Sequence, residues 1–179
     1  MNSVQKENIL KFGLLIGIIN IIIGLLIYIV DITLMVTWWI GISILVINFC
    51  LVLYAGFSYR KSLGGFLSFK NAFVFIFLTL VLSGFLGLLF NMLLFNVLDP
   101  GLGEVLTDES VKQVVAMMES FGTPEEDIDR AMEEARANAS GQFSLVGSIK
   151  TYLWSFIGYA IGALIAGAIV KRKNPELEY

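Results

Sequence analysis

The chain has 179 residues, 57% of them Ala, Val, Ile, Leu, Met, Phe, Trp, Tyr or Cys and 15% charged, with a formal net charge of −3. Ordinary soluble domains are roughly 45–50% apolar and about 25% charged, so a plain water-soluble globule is excluded. With no His and one Cys, the composition lacks the usual neutral-pH acid/base, a disulfide pair and the common zinc-ligand sets, which removes most enzyme templates and any metal site or cofactor of those kinds.

Four uncharged runs decide the class: residues 12–30, 32–59, 71–98 and 151–170. A hydrocarbon core about 30 Å thick takes about 20 helical residues. Only helices and closed barrels satisfy their backbone in lipid, and barrel strands are shorter and alternate. Four membrane-spanning helices are therefore predicted at about 12–30, 34–58, 71–97 and 150–170, forming one all-α membrane domain over residues 1–179. Lys6 and Lys11 ahead of the first run resemble the start of a signal peptide. The run of 19 residues nevertheless exceeds the usual h-region of about 7–15, and no A-x-A cleavage pattern follows. The first span is expected to stay attached.

Between spans two and three lies the most distinctive stretch, Arg60-Lys61-Ser62-Leu63-Gly64-Gly65-Phe66-Leu67-Ser68-Phe69-Lys70-Asn71-Ala72-Phe73. Two adjacent glycines permit a tight turn with positive φ, and Ser68 suits the N-cap of the third span. Phe66, Leu67 and Phe69 suit the membrane boundary, with Arg60, Lys61 and Lys70 among headgroups. A helix N-terminus beside three bases also favours anions. Arg60, Lys61, Gly64, Gly65, Ser68 and Lys70 are thus the candidate lipid or anion site; the plainer alternative is an interfacial turn whose bases attract anionic lipid without any pocket.

Residues 99–143 carry eleven acids and three bases. Val111, Val114, Val115 and Met118 recur at helical spacing, Thr107 is a candidate cap before them, and Gly122 suits the position past the helix end. Thr123-Pro124-Glu125-Glu126 predicts a second start: Thr as N-cap, Pro at the first helical position and Glu completing a capping box. Ile128, Ala131, Met132 and Ala135 supply that helix's apolar face. An acidic helical hairpin between helices 3 and 4, resting on the outer end of the bundle, is expected. Its carboxylates do not follow calcium-loop spacing, and acids in a first turn already complement the helix dipole. Asn138-Ala139-Ser140 matches the glycosylation sequon, a three-residue pattern that arises often by chance.

Helices in lipid gain little from hydrophobicity against one another, so close packing needs small side chains. Each span carries a stripe: Gly13, Gly17, Asn20 and Gly24; Gly41, Asn48 and Ala55; Ser83, Gly84, Gly87 and Asn91; Gly158, Gly162 and Ala166. These predict an antiparallel four-helix bundle. Asn20 and Asn48 should meet near mid-depth, and the fourth stripe serves either the bundle itself or a homo-oligomer or partner helix. No ionisable residue sits mid-span, against an ion-coupled pump.

Basic residues that flank spans tend to stay cytoplasmic. Lys6, Lys11, Arg60, Lys61, Lys70, Lys171, Arg172 and Lys173 fall on one side, and Asp31 with the acidic segment on the other, so both termini are expected in the cytoplasm. Trp38, Trp39 and Trp154 fall near the opposite ends, where amphipathic rings favour headgroups. No basic surface for nucleic acid is present.

The four spans, the RKSLGGFLSFKNAF loop, Asp99-Pro100 closing span three and the acidic segment around TPEEDI together resemble a bacterial family, found mostly in Bacteroidetes, known as domain of unknown function 4199. The resemblance implies an inner-membrane protein with a periplasmic hairpin and supplies no activity or catalytic residues. Three functions are carried forward. The first is a non-enzymatic accessory or scaffold subunit of a membrane complex. The second is a binder or carrier of a phosphorylated lipid, either a phospholipid or a polyprenyl phosphate. The third is an enzyme using Asp31 and Asp99, whose spacing suggests no site.

Overall fold

The computed structural model describes residues 3–173, apart from the side chains of 138–140. Six α-helices follow one another: α1 Ser3–Val30, α2 Trp38–Ser62, α3 Phe69–Leu93, α4 Leu102–Ser120, α5 Glu125–Ser140 and α6 Leu145–Val170. Among the described residues there is no strand, only a single antiparallel bridge between Leu67 and Arg172. Helices α1, α2 and α6, and α3 with its π-helical continuation to Leu98, are long and apolar enough to cross a membrane. The chain is a helical membrane bundle of four such helices with a helical hairpin between the third and fourth.

These helices outrun the apolar stretches that mark them. α1 begins at Ser3, so Lys6, Glu7 and Lys11 are helical, and α6 begins at Leu145, so Lys150 is too. Hydropathy marks the lipid-crossing length, whereas backbone hydrogen bonding continues wherever no residue interrupts it. The second span starts later than expected: residues 34–37 are not part of it. Asp31 caps a 3₁₀ turn, Ile32–Met35, its Oδ1 accepting from the Thr33 amide at 2.9 Å and the Thr33 hydroxyl at 2.8 Å. α2 then opens on the Thr37 carbonyl. At the end of α3 the ladder widens into a π turn, Leu94–Leu98, with the Asp99 amide donating to Leu94 O at 2.9 Å. Pro100 disfavours helical geometry at Asp99 and stops it there.

The described residues form two compact units. The first takes residues 3–23, 42–87 and 152–173 and is a bundle of all four apolar helices. Its core is Ile9, Phe12, Ile16, Val52, Ala55, Tyr59, Leu67, Ala72, Phe75, Ile76, Ala163, Ala166 and Val170. Phe75 stands at its centre, stacked on Tyr59 with ring centroids 4.2 Å apart and edge-on to Phe12 at 6.4 Å. α3 touches each of the other three helices. Many apolar side chains face outward, including Leu45, Trp154 and Ile161, as befits helices that are hydrophobic all round and span a membrane.

The second unit takes residues 24–41 and 88–151. Leu94, Leu102 and Leu106 are buried there, packed with Tyr28, Phe90, Phe95 and Phe143. α4 and α5 make the hairpin. Thr107 is not its cap: α4 starts five residues earlier, because Leu102 and Leu106 are one turn apart on the buried side and extend the apolar face. Thr107 is interior, its hydroxyl donating to Gly103 O at 2.8 Å. The α4 end is as expected. Gly122 has φ +71°, with Gly122 N donating to Glu119 O at 2.9 Å and Thr123 N to Met118 O at 3.1 Å, the paired bonds of a Schellman turn. α5 opens at Glu125, one residue later than predicted, so that Pro124 and not Thr123 supplies the first carbonyl, accepting from Asp127 N and Ile128 N. Ile128, Ala131 and Ala135 are half-buried, whereas Met132 is exposed. The sequon at Asn138 lies outside the described side chains.

Candidate functional site

The small residues of the first unit divide by use. A side chain at Gly13 would meet Leu82, one at Gly17 would meet Leu86, and one at Gly84 would meet the Tyr159 hydroxyl. These glycines let α1 and α6 approach α3. Ala166 is wholly buried, and Gly162 lies at contact range of Leu80. Gly87 and Gly158 do not join them: a Cβ there would meet nothing within 4 Å among the described residues, and Gly158 is exposed. The α6 stripe is therefore split, its later half inside the bundle and its earlier half on the outer surface with Leu153, Trp154, Ile157 and Ile161. In the second unit Gly24 admits the Phe90 ring, and Asn91 is exposed.

Sequence reasoning missed four close approaches, one of them at Gly103, where a Cβ would stand 3.1 Å from Phe143. A Cβ at Gly56 would stand 2.8 Å from the Val170 side chain, and one at Gly167 would stand 3.3 Å from the Phe73 backbone of α3. In the second unit Gly147 faces the carbonyl oxygens of Gly141 and Gln142. There Ser144 caps α6, accepting from Gly147 N at 3.0 Å. A Ser just before an apolar run is the signal that could have found it.

Asn20 and Asn48 meet as their depths suggested, each amide donating to the other's carbonyl at 2.8 and 2.9 Å. Asn20 also reaches Ser83 Oγ at 3.5 Å, and Asn48 donates to Ile44 O at 2.9 Å. The α3–α6 contact has its own polar link, Tyr152 donating to Val81 O at 3.0 Å. These groups satisfy one another inside the bundle, which is the arrangement of internal glue.

The candidate anion residues all lie at one end of the first unit. α2 ends in a second Schellman turn: Gly64 N donates to Lys61 O at 3.2 Å and Gly65 N to Arg60 O at 3.0 Å, with φ of +79° and +93° at the two glycines. Ser68 caps α3, its carbonyl accepting from Ala72 N at 2.9 Å and its hydroxyl from Asn71 N at 3.4 Å. Between them, Leu67 exchanges two backbone hydrogen bonds with Arg172, at 2.9 and 2.8 Å, which ties the loop to the chain leaving α6. Arg60 reinforces that tie by donating to Val170 O at 3.0 Å, on the last turn of α6. Lys61 and Lys70 are exposed beside it, as are Lys171 and Arg172.

Asp31 and Asp99 have separate structural tasks in the second unit. Asp31 holds Thr33, and Asp99 accepts from the Tyr28 hydroxyl at 3.3 Å. A shallow cleft of about 380 Å³ in that unit is lined by Gly103, Glu104, Thr107, Asp108 and Arg136, with Arg136 and Asp108 paired at 2.8 Å. Among the described residues no group of three His, Cys, Asp or Glu is placed to hold a metal ion.

Four apolar helices, close-packed through glycine and joined inside by amide and hydroxyl groups, define a multi-pass membrane protein. The chain belongs to the family of proteins of unknown function DUF4199, whose family model matches residues 11–172. No curated protein and no solved structure matches it.

Proposed function

We propose that the protein is a non-enzymatic accessory or scaffold subunit of a bacterial inner-membrane complex, with both termini cytoplasmic and the acidic hairpin in the periplasm. The excess of bases at one end of the first unit supports the orientation. The observation that carries the accessory role is the split stripe of α6. Gly158 leaves a close-approach position open beside Trp154 and Ile161 on an exposed apolar face, and small residues on such faces are what a second helix packs against.

The test places a photocrosslinking amino acid at position 158 and, as an internal control, at the buried Ala163. The cells are irradiated and the products purified in mild detergent, then identified by quantitative mass spectrometry. A discrete adduct with one membrane protein, formed from position 158 and not from 163, is the expected result. Recovery of the uncrosslinked chain alone across several detergents would overturn the accessory role.

A further inference from the structure

The first unit holds eight of the chain's twelve bases and, among its described residues, one acid, Glu7. The ion pairs formed among the described residues all lie within 108–136. No carboxylate in that set neutralises Lys61, Lys70, Lys171 or Arg172. The backbone bridge between Leu67 and Arg172 brings the loop after α2 and the segment after α6 together, so Lys61 and Lys70 share one end of the bundle with Lys171 and Arg172, about 100 residues further along the chain. Leu67 and Val170, which anchor the two segments, are both buried. Arg60 is set apart by its bond to Val170 O and acts as a strut.

Aromatic rings lie under four of the eight bases, Lys171 and Arg172 among them. Arg172 stands over Phe66 at 5.8 Å, Lys171 over Phe69 at 5.7 Å, Arg60 over Phe57 at 5.0 Å and Lys11 over Phe12 at 5.5 Å. Phe57 and Phe69 are themselves exposed, as are Leu10 and Ile169 next to the charged positions. A ligand for this surface therefore meets cationic groups and, immediately beside them, exposed hydrocarbon. Inorganic phosphate matches only the first; an anionic phospholipid matches both.

We propose that this bridged basic end, through Lys61, Lys70, Lys171 and Arg172, holds the headgroup phosphate of an anionic phospholipid. The inference is independent of the accessory role, which concerns the outer face of α6.

The full chain in mild detergent is mixed with equal amounts of phosphatidylglycerol and phosphatidylcholine, and retained lipid is counted by native mass spectrometry. Phosphatidylglycerol should be retained preferentially. Each base near a lipid surface changes binding by about fivefold, so Lys61→Gln/Lys70→Gln/Arg172→Gln should lower its retention by on the order of a hundredfold. The matched triple Lys112→Gln/Arg130→Gln/Arg136→Gln removes the same charge from the hairpin and should leave retention unchanged. Excess inorganic phosphate should not displace the lipid. Equal retention of the two lipids, equal loss in both triples, or displacement by phosphate would each overturn the proposal. Should the first triple fail to fold, Lys61→Gln/Lys70→Gln alters only two exposed side chains, and undiminished retention in that variant overturns it equally.

Discussion

The two units are built by different rules, and the contrast tells which solvent each one answers to. In the first, ionic groups stay at one end, and the interior is joined by glycine contacts and by neutral pairs such as Asn20 with Asn48. In the second, twelve acids and four bases ride on helices whose ion pairs are exposed, and the buried part is a small cluster around Leu94, Leu102 and Leu106. Hydrophobic collapse needs water to collapse from, so it can organise the hairpin, whereas helices in hydrocarbon must gain from close contact and from neutral hydrogen bonds. Exposed ion pairs contribute little in either place, about 0–1 kcal/mol each.

The largest test of that contrast falls in the second unit, at Gly147. A Cβ there would collide with the backbone carbonyls of Gly141 and Gln142, and a carbonyl cannot rotate away as a side-chain tip can. We expect Gly147→Ala to cost about 3 kcal/mol, because the turn capped by Ser144 must leave the start of α6. Gly17→Ala in the first unit meets the far end of Leu86, which can move, and should cost less. Thermal unfolding of both variants in the same detergent compares them; if Gly17→Ala is the more damaging, backbone approach is not what limits the second unit.

Why one of these glycines was legible and the other was not follows from where their neighbours come from. Gly13 and Gly17 stand in a run with helical spacing, so their packing role shows in the stripe itself. Gly64 and Gly122 stand just past amphipathic or apolar segments, and a Schellman turn needs only local residues, so both turns were readable. The third-span cap at Ser68 was readable for the same reason. The tie between Arg60 and Val170 joins residues 110 apart, and the Leu67–Arg172 bridge is as distant; neither leaves a pattern in one chain. Gly147 was hidden because the span was placed where charge ceases, at Lys150, whereas the helix obeys its cap at Ser144. Thr107 misled in the opposite way: a hydroxyl that bonds within its own helix looks, in sequence, like one that starts it.

A smaller effect is expected at the two Schellman glycines, which share hydrogen bonds and sign of φ but serve different units. Alanine in the left-handed region costs about 1 kcal/mol. For Gly64→Ala, the turn is tied through Leu67 to the chain after α6, so we expect the cost in global unfolding. For Gly122→Ala, α5 has no fully buried residue among those described, so the hairpin can open by itself. The same cost should then appear as faster amide exchange across the end of α4 and the start of α5, with the global melting temperature nearly unchanged. A global shift of equal size in both variants would show that the hairpin unfolds together with the rest.

The smallest effect sharpens the contrast most, because it measures the neutral pair in place of the ionic one. Asn20→Leu leaves the Asn48 amide only its bond to Ile44 O, and Asn48→Leu leaves Asn20 only the longer bond to Ser83. Each should cost about 1 kcal/mol, and the double variant should cost less than the two together, because both amides are then gone. The coupling expected for such a pair in lipid is about 0.6 kcal/mol and at most about 1.7. The same cycle on Arg136 and Asp108, exposed in the hairpin, should give less than about 0.5 kcal/mol and fall further in high salt. Denaturant unfolding in micelles yields both cycles. A salt-insensitive coupling at Asn20–Asn48 that exceeds the hairpin pair would confirm that the bundle is joined by neutral hydrogen bonds; zero coupling there would assign its cohesion to glycine packing alone.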